Sequence, residues 1–163
     1  MDISKISDEK LISLYSDIIK ELKNREIIRT KNVFGDLAEF LAIKYYCETP
    51  GLPNLQVAPV GTQNIDAISR AGERYSIKAT SGATTGIFTG LQPKDSDKPD
   101  KQKFEYVIIC KFDNDYKLIA IYELDWDTFL KHKRWHSTMK SWNLSLTKDL
   151  ISDSKTIYRA ENI

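Results

Sequence analysis

Residues 64–78 read Asn64-Ile65-Asp66-Ala67-Ile68-Ser69-Arg70-Ala71-Gly72-Glu73-Arg74-Tyr75-Ser76-Ile77-Lys78. Apolar and polar residues alternate from Arg74 to Thr80, and with the short run Ile65 to Ser69 before Gly72 this predicts two short strands folded over a turn. Strand side chains point to alternate faces, so the turn decides whether Asp66 and Lys78 can cooperate. A three- or five-residue loop around Gly72 sets Asp66 opposite Lys78 and puts both on the face of Ser76, whereas a two-residue Ala71-Gly72 turn separates them. Ala-Gly makes a poor type I′ pair, and Gly72 at positive φ suits the longer loop, so the cooperating register is expected.

The elements around the hairpin predict an α/β fold. Upstream, Ser7 is an N-cap, Asp8 and Glu9 suit the positive end of a helix, and Leu11, Ile12, Leu14, Tyr15, Ile18, Ile19 and Leu22 recur at helical spacing. A second helix starts near Asn32 and carries Phe34, Leu37, Ala38, Leu41 and Tyr45 on most of its sides, which predicts burial. Glu48-Thr-Pro-Gly-Leu-Pro-Asn54 ends it, and Leu55 to Val60 reads as a strand.

Downstream of the hairpin, Thr80 to Lys103 is irregular, with a mobile exposed second half expected. Phe104 to Phe112 and Tyr116 to Tyr122 are strands around Asp113-Asn114-Asp115. Glu123 to His136 reads as a helix, and the remainder holds a short helix and a last strand at Thr156 to Arg159.

A chain of 163 residues is the size of one domain with a sizeable core. The expected division is N-terminal helices at 8–47, core sheet and hairpins at 55–122, and a helical C-terminal part at 123–163. A net charge of +1 gives no overall attraction to polyanions, so nucleic-acid binding has to come from local patches. Cys47 and Cys110 form no CxxC pair, the usage of reduced cytoplasmic thiols. With no signal-like N-terminus and no membrane-length apolar run, the expectation is a soluble cytoplasmic protein without a membrane partner.

Chemistry gathers on the Asp66 face. Asp66 offers hard oxygens suited to Mg²⁺, and the Lys78 ammonium can orient or help deprotonate a water. The bland alternative is an exposed cross-strand ion pair contributing below ~1 kcal/mol. Glu39 favours the functional reading: in Gly35-Asp36-Leu37-Ala38-Glu39-Phe40-Leu41-Ala42 it is a carboxylate within an apolar helix, with Gly35 and Ala42 on its side, and its desolvation calls for a cation, hydrogen bonds or water.

Gly35-x-x-x-Glu39, a strand, Ile65-Asp66, a turn and Ser76-Ile77-Lys78, in that order, resemble the PD-(D/E)XK, or restriction-endonuclease-like, nuclease superfamily over about residues 30 to 112. The resemblance implies a mixed central sheet flanked by helices and Mg²⁺- or Mn²⁺-dependent hydrolysis of nucleic acid, DNA before RNA, in restriction, defence or repair. By position, Asp66 becomes the metal carboxylate, Lys78 the catalytic lysine, Glu39 the helix acid, and the Ile77 carbonyl a further ligand. Ser76 stands where the family usually has Glu, Asp or Gln, which makes Glu39 the candidate for the relocated acid. The competing expectation, favoured by Ser76, is a non-catalytic nucleic-acid-binding or assembly domain with a degenerate nuclease fold. Cutting both strands of a duplex with one small site calls for a homodimer or two visits.

Three other features carry expectations. Lys131, Lys133, Arg134 and Lys140 interleave with Trp135 and Trp142, a pattern that can hold phosphates and stack on bases. His132 and His136 have metal-sharing spacing but no HExxH context, and read as part of a solvated basic helix. Thr80 to Gly90 matches no phosphate-loop fingerprint and reads as a connection.

Overall fold

The computed structural model describes residues 1–59 and 61–161, so Val60, the expected end of the first strand, lies outside the described residues. It is a mixed α/β structure: a mixed six-stranded sheet with four helices. The elements are α1 (Asp8–Asn24), α2 (Val33–Glu48), β1 (Leu55–Val57), β2 (Ala67–Ser69), β3 (Arg74–Thr80), β4 (Tyr106–Phe112) and β5 (Leu118–Asp125), followed by α3 (Trp126–His132), β6 (Arg134–His136), β7 (Ser141–Asn143), α4 (Lys148–Asp153) and β8 (Lys155–Arg159). The sheet runs β1-β2-β3-β4-β5-β8, with β3 and β4 parallel and the other pairs antiparallel. Strands β6 and β7 form a separate ribbon. No described helix is long and apolar enough to cross a membrane.

Strand β4 is central because Val107-Ile108-Ile109-Cys110 is apolar on both faces. Ile108, Cys110 and Phe112 join Tyr75, Ile77 and Ile121 on the face covered by α2, which presents Ala38, Ala42 and Tyr46 one turn apart. Val107 and Ile109 join Phe88, Phe104, Tyr122, Leu124, Phe129, Leu144 and Leu150 on the other. That second face is covered by residues 81–105, α3, α4 and β7, so each face has helices, with an irregular crossover as the main cover of the second.

Several boundaries differ from expectation. The 81–105 crossover is pinned through its first half and at Gln92: Thr84 and Phe88 bridge to Ser145 and Trp142, the Gln92 amide donates to Asp100 at 2.6 Å, and Trp142 Nε1 donates to the Gln92 carbonyl at 2.7 Å, while most of residues 93–102 are exposed, as expected. Residues Glu123 to Asp125 extend β5 instead of opening a helix, and Tyr46 donates its hydroxyl hydrogen to Glu123. The helix ends at His132, and Arg134 to His136 belong to the ribbon. Helix α1, amphipathic by sequence, has no buried residue.

Candidate active site

The hairpin uses a three-residue loop. Gly72 donates to the Ser69 carbonyl at 3.0 Å, Ser69 donates to the Glu73 carbonyl at 2.9 Å, and Gly72 takes φ +86°, the left-handed closure such a loop needs. The register Ala67↔Tyr75 then continues to Asp66 opposite Ser76. This corrects the expected Asp66–Lys78 opposition by two residues along β3. Asp66, Ser76 and Lys78 still share a face, because Lys78 lies two residues beyond Ser76.

Regular pairing of β2 with β3 stops at Ala67, and a side chain continues it. Asp66 N–H donates to the Tyr75 carbonyl at 2.8 Å, and its Oδ2 accepts the Ile77 amide at 2.6 Å. Backbone groups of alternate residues point to the same strand edge, so the Ile77 carbonyl shares that edge with its amide. Burial raises the Asp66 carboxyl above its ordinary value, against the pull of the Ile77 amide, Lys78 and Ser76. Ser76 Oγ is fully buried without a hydrogen-bond partner that meets normal geometry, although it is close enough to help hold the Asp66 charge.

Lys78 lies partly buried on β3 beside Ile109 of β4, with its Nζ over the Phe88 ring at 4.9 Å. It makes no salt bridge among the described residues. Burial lowers its pKa, opposed by the charges of Asp66 and Glu39. The amine, the Asp66 carboxylate and Glu39 therefore lie within electrostatic reach of one another.

Helix α2 supplies Glu39, held by residues that sequence patterning did not single out. Asn32 caps the helix by accepting the Gly35 amide at 3.2 Å, and a Cβ on Gly35 would meet Asn32 Nδ2 at 2.3 Å. Gly35 thus makes room for the cap. Asp36, 6 % exposed, accepts the backbone amides of Arg29, at 2.6 Å, and Thr30, and the Thr30 hydroxyl at 3.2 Å. Burial pushes the Asp36 carboxyl up, but these bonds and the Arg29 charge outweigh it and hold the group below its usual value. The clamp turns Arg29 toward the helix, where its guanidinium meets Glu39 Oε2 at 2.5 Å. Burial and the Asp66 charge raise Glu39 from 4.5 to about 7 despite that guanidinium.

The residues fit Mg²⁺ or Mn²⁺ held with much of its water. Mg²⁺ is commonly bound through one or two carboxylates together with substrate phosphates, and here the charges of Asp66 and Glu39 oppose each other, with Asp66 close to the orphaned Ser76 hydroxyl. No group of three or more His, Cys, Asp or Glu side chains suited to a metal occurs among the described residues. His132 is bonded to Asp153 at 2.7 Å, and His136 Nδ1 accepts the Met139 amide at 3.2 Å.

The basic residues of the expected nucleic-acid patch divide into two kinds. Lys131 is paired with Asp153 at 2.6 Å. Lys133, 15 % exposed, is paired with the buried Asp100 and lies over the Trp142 ring at 4.1 Å. Arg134 and Lys140 are exposed on the ribbon and its turn. The glycines after β3 belong to a connection: Lys111 Nζ donates to the carbonyls of Ser81, at 2.5 Å, and Gly82, at 2.8 Å, and Phe88 then roofs Lys78.

No family model matches the chain, and no curated protein matches it at a significant level. The two residues missed by patterning, Arg29 and Asp36, had faint signals: a basic link before α2, and an acid three residues before Glu39, on the same helical side.

Proposed function

We propose that the chain is a restriction-endonuclease-like, metal-dependent nuclease that hydrolyses DNA phosphodiester bonds, with Asp66, Lys78 and Glu39 as its working groups. The observation that carries this reading is the mutual coupling of two acids and an amine in a place where burial penalises the charge of all three. An ordinary surface ion pair has no such burden. Asp66 keeps one oxygen free of the Ile77 amide, and that oxygen, Glu39 and the Ile77 carbonyl are the groups that would hold Mg²⁺ or Mn²⁺. When bound, the ion supplies Lewis acidity at the phosphoryl oxygen and lowers the pKa of a water.

The chain's own residues set up the rest. The Ile77 amide fixes the rotamer of Asp66. Lys78, free of any salt bridge among the described residues, can orient the attacking water and offset charge on the phosphorane-like transition state. Arg29, with 40 % of its side chain exposed, can exchange Glu39 for a substrate phosphate, which its planar fork suits. Ser76 contributes a hydrogen bond at most.

A second reading, a non-catalytic nucleic-acid-binding or assembly domain with the same fold, is favoured by one observation: the Arg29–Glu39 pair occupies the acid that stands in for the missing one at Ser76. Metal-titrated cleavage of a panel of single- and double-stranded DNA and RNA separates the two. The nuclease reading expects Mg²⁺- or Mn²⁺-dependent cleavage that falls at least about 100-fold in Lys78→Ala and in Asp66→Ala. Binding without cleavage at any metal concentration supports the second reading, and cleavage surviving both substitutions rejects the assigned site.

A further inference from the structure

Phe40 of α2 and Val57 of β1 are apolar yet 36 % and 45 % exposed, and both line a groove of about 440 Å³. Half-buried Ile27 and Ile43 complete its apolar lining. The groove shares a wall with the candidate active site: Arg29 and Glu39 line it too, and Val57 pairs with Ala67, the neighbour of Asp66. An occupant of this groove therefore lies against the groups assigned to the reaction.

The charges around the groove are largely paired off. Arg29 meets Glu39 at 2.5 Å, Lys44 reaches Glu48 at 4.0 Å, and Asp36 is taken up by the backbone amides of Arg29 and Thr30. A phosphate chain laid along the apolar lining would find no cation there and would meet the carboxylate of Glu26. An uncharged flat ring has no such difficulty, and Arg29, with 40 % of its side chain exposed, is placed to take the phosphate attached to it.

We propose that the groove takes an unpaired nucleobase of the substrate, stacked on Phe40 with its phosphate at Arg29, so that the substrate class is single-stranded or locally unpaired DNA. The volume falls within the roughly 300–1,000 Å³ of small-ligand sites, so it holds one nucleoside and excludes a duplex. Every base has a face that stacks on an aromatic ring, and the exposed Lys44 and Glu48 side chains offer a donor and acceptors to a base edge. A paired base keeps its faces in the duplex stack and reaches such a groove only by flipping out. The inference takes its substrate from the nuclease reading.

Fluorescence titration of the full chain in EDTA, which prevents metal-dependent cleavage, tests it with a DNA strand carrying 2-aminopurine. The expected result is a saturable change in emission and an affinity at least about 10-fold above that for the fully paired duplex, with a duplex that bulges out the 2-aminopurine recovering most of the difference. Equal affinity for strand and duplex overturns the proposal. An abasic strand of the same length keeps every phosphate and should bind at least about 10-fold more weakly; equal binding leaves the phosphates as the whole attraction and overturns the base site. A free mononucleotide that binds as tightly as the strand overturns the assignment to nucleic acid. Phe40→Ala removes the stacking ring and should raise the Kd about 5- to 150-fold, and Val57→Glu, a charge set in the apolar lining, should act in the same direction, both with unchanged circular dichroism. Unaltered affinity in the two variants overturns the groove. Cleavage in Mg²⁺ is scored separately with the Asp66 and Lys78 variants, neither of which lines the groove. Cleavage of duplex without preference for unpaired strands rejects the base site and keeps the nuclease, whereas base-dependent binding without cleavage keeps the groove and rejects the nuclease.

Discussion

Glu39→Gln removes one charge and keeps the side chain's shape, so it isolates what that charge costs the fold. The Glu39 carboxyl titrates at about 7, against 4.5 in an open chain. That gap of roughly 2.5 pH units, at about 1.36 kcal/mol per unit, gives an upper figure of ~3 kcal/mol for the fully ionised form. A fifth of the side chain remains in water, and solvent screening brings the expected effect to about 1–2 kcal/mol.

The sign follows from proton counting. Below pH 4.5 both folded and unfolded chains hold the Glu39 proton, and its charge costs nothing. Between 4.5 and about 7 the unfolded chain releases the proton first, so the wild-type protein loses stability with rising pH, and above about 7 the loss is complete. Relative to the wild type, the Gln variant should therefore gain about 1–2 kcal/mol on going from pH 4.5 to pH 8. Other titrating groups are common to both proteins and largely cancel, Asp66 excepted because it is coupled to Glu39. Urea unfolding at pH 4.5 and pH 8, read as midpoints with unchanged m, measures the difference. A wild-type-minus-variant difference that stays flat, or moves the other way, refutes the burial of the Glu39 charge near that of Asp66. Added Mg²⁺ at pH 8 should stabilise the wild type by about 2.7 kcal/mol at 100 times its Kd, and the variant markedly less.

Two further substitutions probe the scaffold and the ribbon. Gly72→Ala meets no atom within 4 Å at a φ of +86°, so its cost is torsional, about 1–2 kcal/mol by thermal or urea unfolding; an unchanged midpoint would mean that the three-residue turn is wrong. Lys133→Met breaks the half-buried pair with Asp100 and should cost about 1–3 kcal/mol, while leaving intact the salt dependence of the DNA binding that the proposed function expects. Arg134→Ala and Lys140→Ala should instead each reduce the slope of log K against log salt by about 0.9 with little change in stability, and the reverse pattern would put Lys133 on the nucleic acid.

The parts of the fold legible in the sequence were those governed by local periodicity. Strands β3, β4 and β5, the Asn32 start of α2 and the Asp113 turn follow from alternation, capping and turn chemistry within a few residues of each position. What escaped was set by distant partners. Glu123 stays in β5 with Tyr46 as its donor, 77 residues away, whereas locally it looks like the first turn of a helix. Lys133 reads as solvated until Asp100 and Trp142 enclose it. Asp66, Ser76 and Lys78 shared a face as alternation required, but the partner opposite Asp66 depended on which residue centred the loop. Nothing in the order of residues announced that Asp36 would clamp the backbone that aims Arg29.

The parallel pairing of β3 with β4 also separates the site residues in sequence from the groups that dry Lys78. Arg29, Asp36, Glu39, Asp66, Ser76 and Lys78 all precede the 81–105 crossover, so on a growing chain the Asp66–Ile77 bond can form while β4 is still unmade. Lys78 then remains hydrated until the crossover delivers Phe88 above it and Ile109 beside it. The desolvation that lowers the amine's pKa is thus supplied from beyond β3 in the chain, by Phe88 and by Ile109, and local opening of the crossover would be enough to expose the amine.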